Sequence, residues 1–460
     1  MSLEVDSLSR IAKLFIDRDN LSLEEAGNHL SQFRFLVQCG PELAQSPTLQ
    51  AAVLTATNIA SRCFPGSVRV VGVNDEPLLV PWRPGHNLRA ALRAVGGDAC
   101  LERCDETWSG AISAAFGTVG KLQHGVQATF DGWACASSPL AERLRLPERE
   151  GCILAGVAAG ALAVSEIFLG NFGCAIEAGS RVAGLSLWRP DLPWDAPDAA
   201  GVDEPIRHLP GEIWLLGLGH LGQAYAWSLS MLPFSDRNTV DIVLQDYDRV
   251  VEANLDTGLI SYRGDLQRLK TRVANEFLEA RGFRTRLIER RFDEGTQIQT
   301  DEPRVMLSGM DGKGPRHLLD QAGLDIVVDC GIGGGAMNFD SITLNVIPNG
   351  YATAAEVWPI HDEETRRRRE QEVEQLATAR DAYKSVRESR GCGHVEMAGR
   401  SVAVPFVGAI ASTLAISELI RRIAGADQFD RIRLQLATPH EPNIRNSQRR
   451  RLRTRSQSIC

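Results

Sequence analysis

A chain of 460 residues is too long for one hydrophobic core, and a net charge of -8 argues against a nucleic-acid partner, whose phosphates need a basic surface. Its 10 cysteines are scattered and form no CxxC pair, which argues against a disulfide framework and a structural zinc site and for a reducing cytoplasm. The opening MSLEVDSLSRIAKLF carries no basic segment followed by an apolar core, so no leader peptide is expected.

In chain order, FRFLVQCG predicts a strand, SPTLQAAVLTATNIASRC a helix, and SVRVVGVND and VQATFDGWA further strands. Residues 152–169 form the most apolar stretch; Ser165, Glu166 and interrupting glycines make it a buried helix rather than a membrane span. Residues 188–211 hold five prolines among many acids and read as a linker that divides the chain near residue 205. The strand EIWLLG follows, then a helix over 220–231, the strand VDIVLQD, and a helix over 265–281 with Leu266, Leu269, Val273 and Phe277 on one face. RVMLSG and LDIVVDCG are strands with a helix around 315–322 between them. Alternating strands and helices predict a mostly parallel α/β sheet with ligands at the carboxyl ends of its strands. A charged helix is expected over 362–389, where the arginines at 366–369 alternate with glutamates as a solvated face, and the basic tail 441–460 is expected to be disordered. AGALAVSEIF in the first half and ASTLAISELI in the second share one pattern, which points to an internal duplication.

Gly217, Gly219 and Gly222 follow a strand and open a helix, as in a loop that cradles phosphate. This leaves NAD and ATP equally open, with Asp246 holding a ribose hydroxyl in either case. The first half has QCGPELAQS at the corresponding place, with one glycine, and is expected to have lost its nucleotide.

The segment after the loop separates the two. Asp246, Asp248 and Val250, then Asn254 and Leu255, then Asp265 and Lys270 resemble the D-x-D-x-V, N-L-N-R and D-x-G-x-x-K series of the ThiF, MoeB and ubiquitin-activating superfamily. That resemblance covers roughly residues 211–330 well. It implies two Rossmann-like adenylation domains, a degenerate one over 1–200 and an active one over 205–440, the latter carrying a crossover segment over 350–404. It also implies ATP and Mg2+ as cofactors, with Asp246 on the ribose, Asn254 and Lys270 on the phosphates, and Asp311 on the magnesium. The plain alternative for Asp311 is an Asp-Gly turn. Thr257 stands where the family has an arginine, so Arg263 becomes a candidate replacement, and Arg10 and Arg18 are candidates for an arginine supplied by the N-terminal helix.

Members of this superfamily activate the carboxylate of a small protein, and some capture it on a cysteine. Cys392, flanked by glycines and followed by His394, is the expected nucleophile; the bland alternative is an ordinary loop cysteine. Cys330 is expected to be buried at the sheet edge. The resemblance is to the activating enzymes of bacterial ubiquitin-like conjugation operons. It implies a ubiquitin-like protein and a conjugating enzyme as partners, a possible homodimer, and no membrane. The competing expectations are a sulfur-carrier or peptide-modifying adenylyltransferase, an NAD-dependent oxidoreductase, and a non-catalytic scaffold.

Overall fold

The computed structural model describes residues 8–82, 86–97, 101, 104, 108–120, 124–311, 313–348, 351–359, 363–384, 393–447, 452 and 454–459. The first half forms a sheet from β1 (Phe35–Cys39), β2 (Val68–Val71), β3 (Ile112–Phe116), β4 (Gly125–Asp131), β5 (Ala134–Pro139) and β6 (Ala183–Ser186). Its order is β2-β1-β3-β4-β5-β6, parallel from β2 to β4 and antiparallel thereafter. After the short β7 (His208–Pro210), a second sheet contains β8 (Glu212–Leu216), β9 (Asp241–Gln245), β10 (Arg284–Ile288), β11 (Val305–Ser308), β12 (Ile326–Ile332), β13 (Ser341–Ile347), β14 (Phe429–Gln435) and β15 (Asn443–Asn446). The order is β10-β9-β8-β11-β12-β13-β14-β15, parallel from β10 to β12 and antiparallel from β12 to β15. The run β9-β8-β11-β12-β13-β14 repeats the first sheet strand for strand and direction for direction, with β10 and β15 added at its edges.

The helices Pro47–Cys63 and Ile153–Asn171 of the first half meet His220–Met231 and Pro405–Ala424 of the second between the sheets. One apolar core runs through all four, from Val53 and Leu162 to Trp227 and Leu414. Strand alternation assigns the faces. In β8, Ile213 and Leu215 join this core, whereas Trp214 and Leu216 join a smaller cluster with Met306, Val327 and Trp358 on the outer face. The helix Ile153–Asn171 is apolar and long enough to cross a membrane, but its most apolar window is 94% buried inside the protein.

The duplicated halves lock together by exchanging arginines. Glu166 pairs with Arg181 at 2.7 Å, and the Arg181 guanidinium donates to the carbonyls of Leu436 (2.9 Å) and Ala437, just past β14. Glu418, at the matching place in SELI, pairs with Arg421, which donates to the Leu187 carbonyl just past β6. Each half thus holds the other's chain as it leaves the sheet, the reciprocity expected of an isologous interface.

Four expectations change. The tail is not disordered over its described residues: 443–446 form β15, and β16 (Ser456–Ser458) pairs with β7, because each finds an open sheet edge for its backbone. The charged helix expected over 362–389 spans Glu363–Ala379 and breaks at residue 380; residues 381–384 are helical again, and 385–389 lie outside the described residues. The helix expected over 265–281 spans Lys270–Glu279, because residue 267 takes a left-handed φ of 68° that ends the preceding turn. Cys330 is buried, but in β12, an interior strand.

Both glutamates are fully buried; among the described residues Glu418 keeps a second cation in Arg422, whereas Glu166, which also accepts from the Gly179 amide, is ion-paired with Arg181 alone. Removing the charged partner of a buried ion pair costs about 3–5 kcal/mol. Arg181→Ala should lower the unfolding free energy measured by urea titration by an amount in that range, and Arg421→Ala by clearly less.

Candidate functional site

β8 delivers the chain to Gly217, whose φ of 79° is a conformation other residues adopt only under strain. Gly222 allows the helix His220–Met231 to approach the turn: a Cβ there would lie 1.9 Å from the Gly217 carbonyl oxygen. Gly219 sits at the N-cap with no side-chain cap, and the space beside its Cα is open. The orphan amides of the first helical turn thus begin beside open space at Gly219, which favours an anion there. His220, the first helical residue, packs over Gly408; burial pushes its imidazole down to about 4, so it is neutral near pH 7.

Asp246 immediately follows β9, beneath this loop. Its Oδ2 accepts from the Leu218 amide at 2.6 Å and its Oδ1 from the Asp248 amide at 2.8 Å, with the residue 8% exposed. The carboxylate expected to hold a ribose is thus a brace for the loop. Asp248 is the open one, its side chain 49% exposed, and its Oδ2 accepts from Lys270 Nζ at 3.0 Å. Asn254 caps its own turn by accepting from the Val251 amide at 3.0 Å. Asp265 accepts from the Tyr262 amide and pairs with Arg268, a turn-holding role.

The first half supports this segment. Asn58 donates to the Leu259 carbonyl at 2.9 Å, and Arg62 donates to those of Leu255 and Ser261. Thr257 is buried at 3% exposure, so the position where the family has an arginine faces inward here. Arg263 is exposed in the turn Arg263–Asp265. Of the N-terminal arginines, Arg18 pairs with Asp19 and donates to the Cys174 sulfur. Arg10 instead lies beside Asp256, two residues past Asn254: burial raises that carboxyl, opposed by the Ser9 hydroxyl and the charges of Arg62 and Arg10.

Gly309 follows β11 and lies against Gly217, within 3.1 Å of a Cβ placed on it. Asp311 comes two residues later and is exposed. No group of three His, Cys, Asp or Glu side chains converges on a metal position among the described residues. A lone carboxylate still suits Mg2+, which takes one or two protein carboxylates and completes its octahedron with phosphate oxygens and water. Arg316 is not open to a ligand: it pairs with buried Asp329 at 3.1 Å and donates to the Cys330 carbonyl. Cys392 lies outside the described residues. Just beyond it, His394 falls in the helix Gly393–Gly399, and the Val402 amide ties the segment to the Gly334 carbonyl at 2.8 Å. Burial pushes the Cys330 thiol up to about 12, which removes it as a competing nucleophile.

Residues 34–187 match the BilD N-terminal domain and residues 209–426 the BilD C-terminal domain. A relative described as "Bacterial E1-like protein BilD", from Collimonas sp. (strain OK412), is 36% identical over 447 residues, 95% of this chain and 93% of its own length. The chain belongs to the BilD family. Among solved structures, Escherichia coli MccB is similar with a TM-score of 0.35 at 14% identity, over 52% of this chain and 63% of that one. MccB with ATP gives a TM-score of 0.35 at 15% identity, over 52% and 64%.

This BilD-family chain treats the matching corner of its first half differently. There the helix N-terminus is closed by Ser46, whose side chain accepts from the Leu49 amide. The loop between β1 and that helix carries Glu42, whose Oε2 accepts from the Thr118 amide at 2.9 Å and whose Oε1 pairs with Arg145 at 2.8 Å. Gly117, the counterpart of Gly309, lies so close that a Cβ would be 2.6 Å from Oε2. A carboxylate of the chain itself fills this corner. Sequence reading noticed the missing glycines but not the plug, because its partners Thr118 and Arg145 are distant in the chain.

Gly217→Ala should cost about 1 kcal/mol of folding stability from backbone strain and abolish nucleotide-dependent protection in a thermal-shift titration. Burial would raise the Glu42 carboxyl, but the Thr118 hydrogen bonds and the Arg145 pairing outweigh it and bring it down to about 2 from 4.5. A depressed carboxylate stabilises the fold above its unfolded value and loses that effect as pH falls through its folded value. Glu42→Gln should therefore lower Tm at neutral pH, and the gap to wild type should close between about pH 4.5 and 2.

Proposed function

We propose that the second half uses MgATP to adenylate the C-terminal carboxylate of a ubiquitin-like protein, while the first half serves as its inactive scaffold. One contrast carries this reading: the helix N-terminus beside Gly219 is uncapped and open, whereas its counterpart is closed by Ser46 and Glu42. A dehydrogenase would have no evident need for Lys270 and Asn254 next to the glycine loop.

Each side chain then has a task. The glycine loop and the helix amides cradle the triphosphate. Asp246 fixes the loop, and Asp248, on its open side, takes the ribose hydroxyls. Lys270 and Asn254 contact phosphate oxygens, with Lys270 exchanging its bond to Asp248 for one to phosphate. Arg10 approaches from the first half in place of the arginine absent at Thr257. Asp311 holds the metal. When bound, magnesium lowers the repulsion between the incoming carboxylate and the phosphates. A carboxylate oxygen attacks the α-phosphorus, the bond to the bridging oxygen breaks, and pyrophosphate leaves with an acyl-adenylate behind. The Cys392 thiolate would then attack the acyl carbon, form a thioester and release AMP. Transfer to the cysteine of a conjugating enzyme would follow.

ATP–pyrophosphate exchange tests the first step with candidate ubiquitin-like proteins from the same genome. Asp311→Ala should reduce exchange on the order of 100-fold with little change in Tm. Cys392→Ala should keep exchange but lose a thiol-sensitive covalent adduct on non-reducing gels. No exchange in the wild-type chain would overturn the adenylation reading; exchange that survives Asp311→Ala would overturn the metal role of Asp311, and an adduct that survives Cys392→Ala would overturn only the thioester step.

A further inference from the structure

The outer face of the second sheet changes character from one end to the other. Under β8, β11 and β12 it is apolar, with Trp214, Met306 and Val327. At β14 and β15 it is basic. Ile432 and Leu434 face the core, so Arg431 and Arg433 point the other way. Arg431 lies opposite Arg445, and Arg433 opposite Asn443. Three guanidinium groups therefore share one open patch. Like charges placed directly across strands repel. None of the three forms an ion pair among the described residues, and the Arg431 Nε is buried without a hydrogen-bond partner. Arg445 is steadied by the Tyr351 ring, 5.0 Å below it. Burial and then the charges of Arg433 and Arg445 lower the Arg431 pKa, with no acid offsetting them.

We propose that this face of β14 and β15 docks an acidic protein surface through Arg431, Arg433 and Arg445. Uncompensated like charges on one patch call for a counter-charge, and the rest of the chain is acidic, at -8 overall. A long nucleic acid would meet repulsion beyond the patch; a compact protein would not. The patch is also in line with the nucleotide corner. One transverse row of register partners runs Arg445, Arg431, Asn345, Asp329, Ser308, Leu216, and Gly217 follows Leu216. Five strand spacings make roughly 24 Å, which about seven extended residues would cover. That the acidic partner is the protein whose carboxylate is activated rests on the function proposed above; the docking chemistry does not.

The test uses the full chain and a fluorescein-labelled, glutamate-rich peptide in anisotropy titrations, with a lysine-rich peptide and a single-stranded oligonucleotide alongside. The variant Arg433→Glu with Arg445→Glu changes two exposed residues. It should bind the acidic peptide about tenfold or more weakly and bind the lysine-rich peptide more tightly than wild type. Rising salt should weaken the wild-type complex. Equal affinity of both proteins for the acidic peptide would overturn the proposal. So would an oligonucleotide that binds wild type more tightly than the acidic peptide and is lost in the variant. ATP-induced stabilisation should be the same in both proteins. Its absence from both would refute the adenylation reading and leave the docking result standing.

Discussion

A glycine turn cannot hold itself in place, because the freedom that lets it approach a phosphate also lets it wander. In this chain the turn is fixed by one carboxylate. Asp246 accepts from two backbone amides, Leu218 in the loop and Asp248 just past the next strand. Those two bonds join the loop to the segment that carries Asp248 and Lys270. On the proposed function, the uncapped helix amides, the open carboxylate and the lysine act on one ligand because Asp246 joins their backbones. The Gly309 contact with Gly217 adds the strand that leads to Asp311.

The two halves show what happens to one fold when that constraint is kept or abandoned. The first has the same strand order, but a longer loop folds Glu42 back into the corner, and Ser46 satisfies the helix end. What the first half retains is its helix face. Asn58 and Arg62 reach across and hold the carbonyls of the segment 255–261, and the reciprocal pairs at Glu166 and Glu418 lock the sheets' exits. On the proposed function, the first half, its own corner closed, serves as a wall of the second half's site.

The sequence made the strands around the glycine loop legible because each is a short apolar run whose register is set by burial. The order of Gly217, Asp246, Asn254 and Lys270 was also readable, being local in the chain. The division of labour between Asp246 and Asp248 was not. Alternation alone cannot say which carboxylate meets a loop 28 residues earlier. The edge strand β15 and the pairing of β16 with β7 escaped notice because polar, arginine-rich stretches carry no apolar period. Their order comes from open backbone edges elsewhere in the fold. Arg10 could be named as a candidate beside Arg18, but only the packing of Ser9 and Arg10 against Asp256 separates them.

On the proposed function, one corner of this duplicated fold is open to a triphosphate and its counterpart is shut. Isothermal titration of the full chain with a non-hydrolysable ATP analogue and magnesium tests it most directly. One site per chain is expected, lost in Gly217→Ala and unchanged in Glu42→Gln, with no heat from NAD. Two sites per chain, or saturable binding of NAD in place of the ATP analogue, would contradict it.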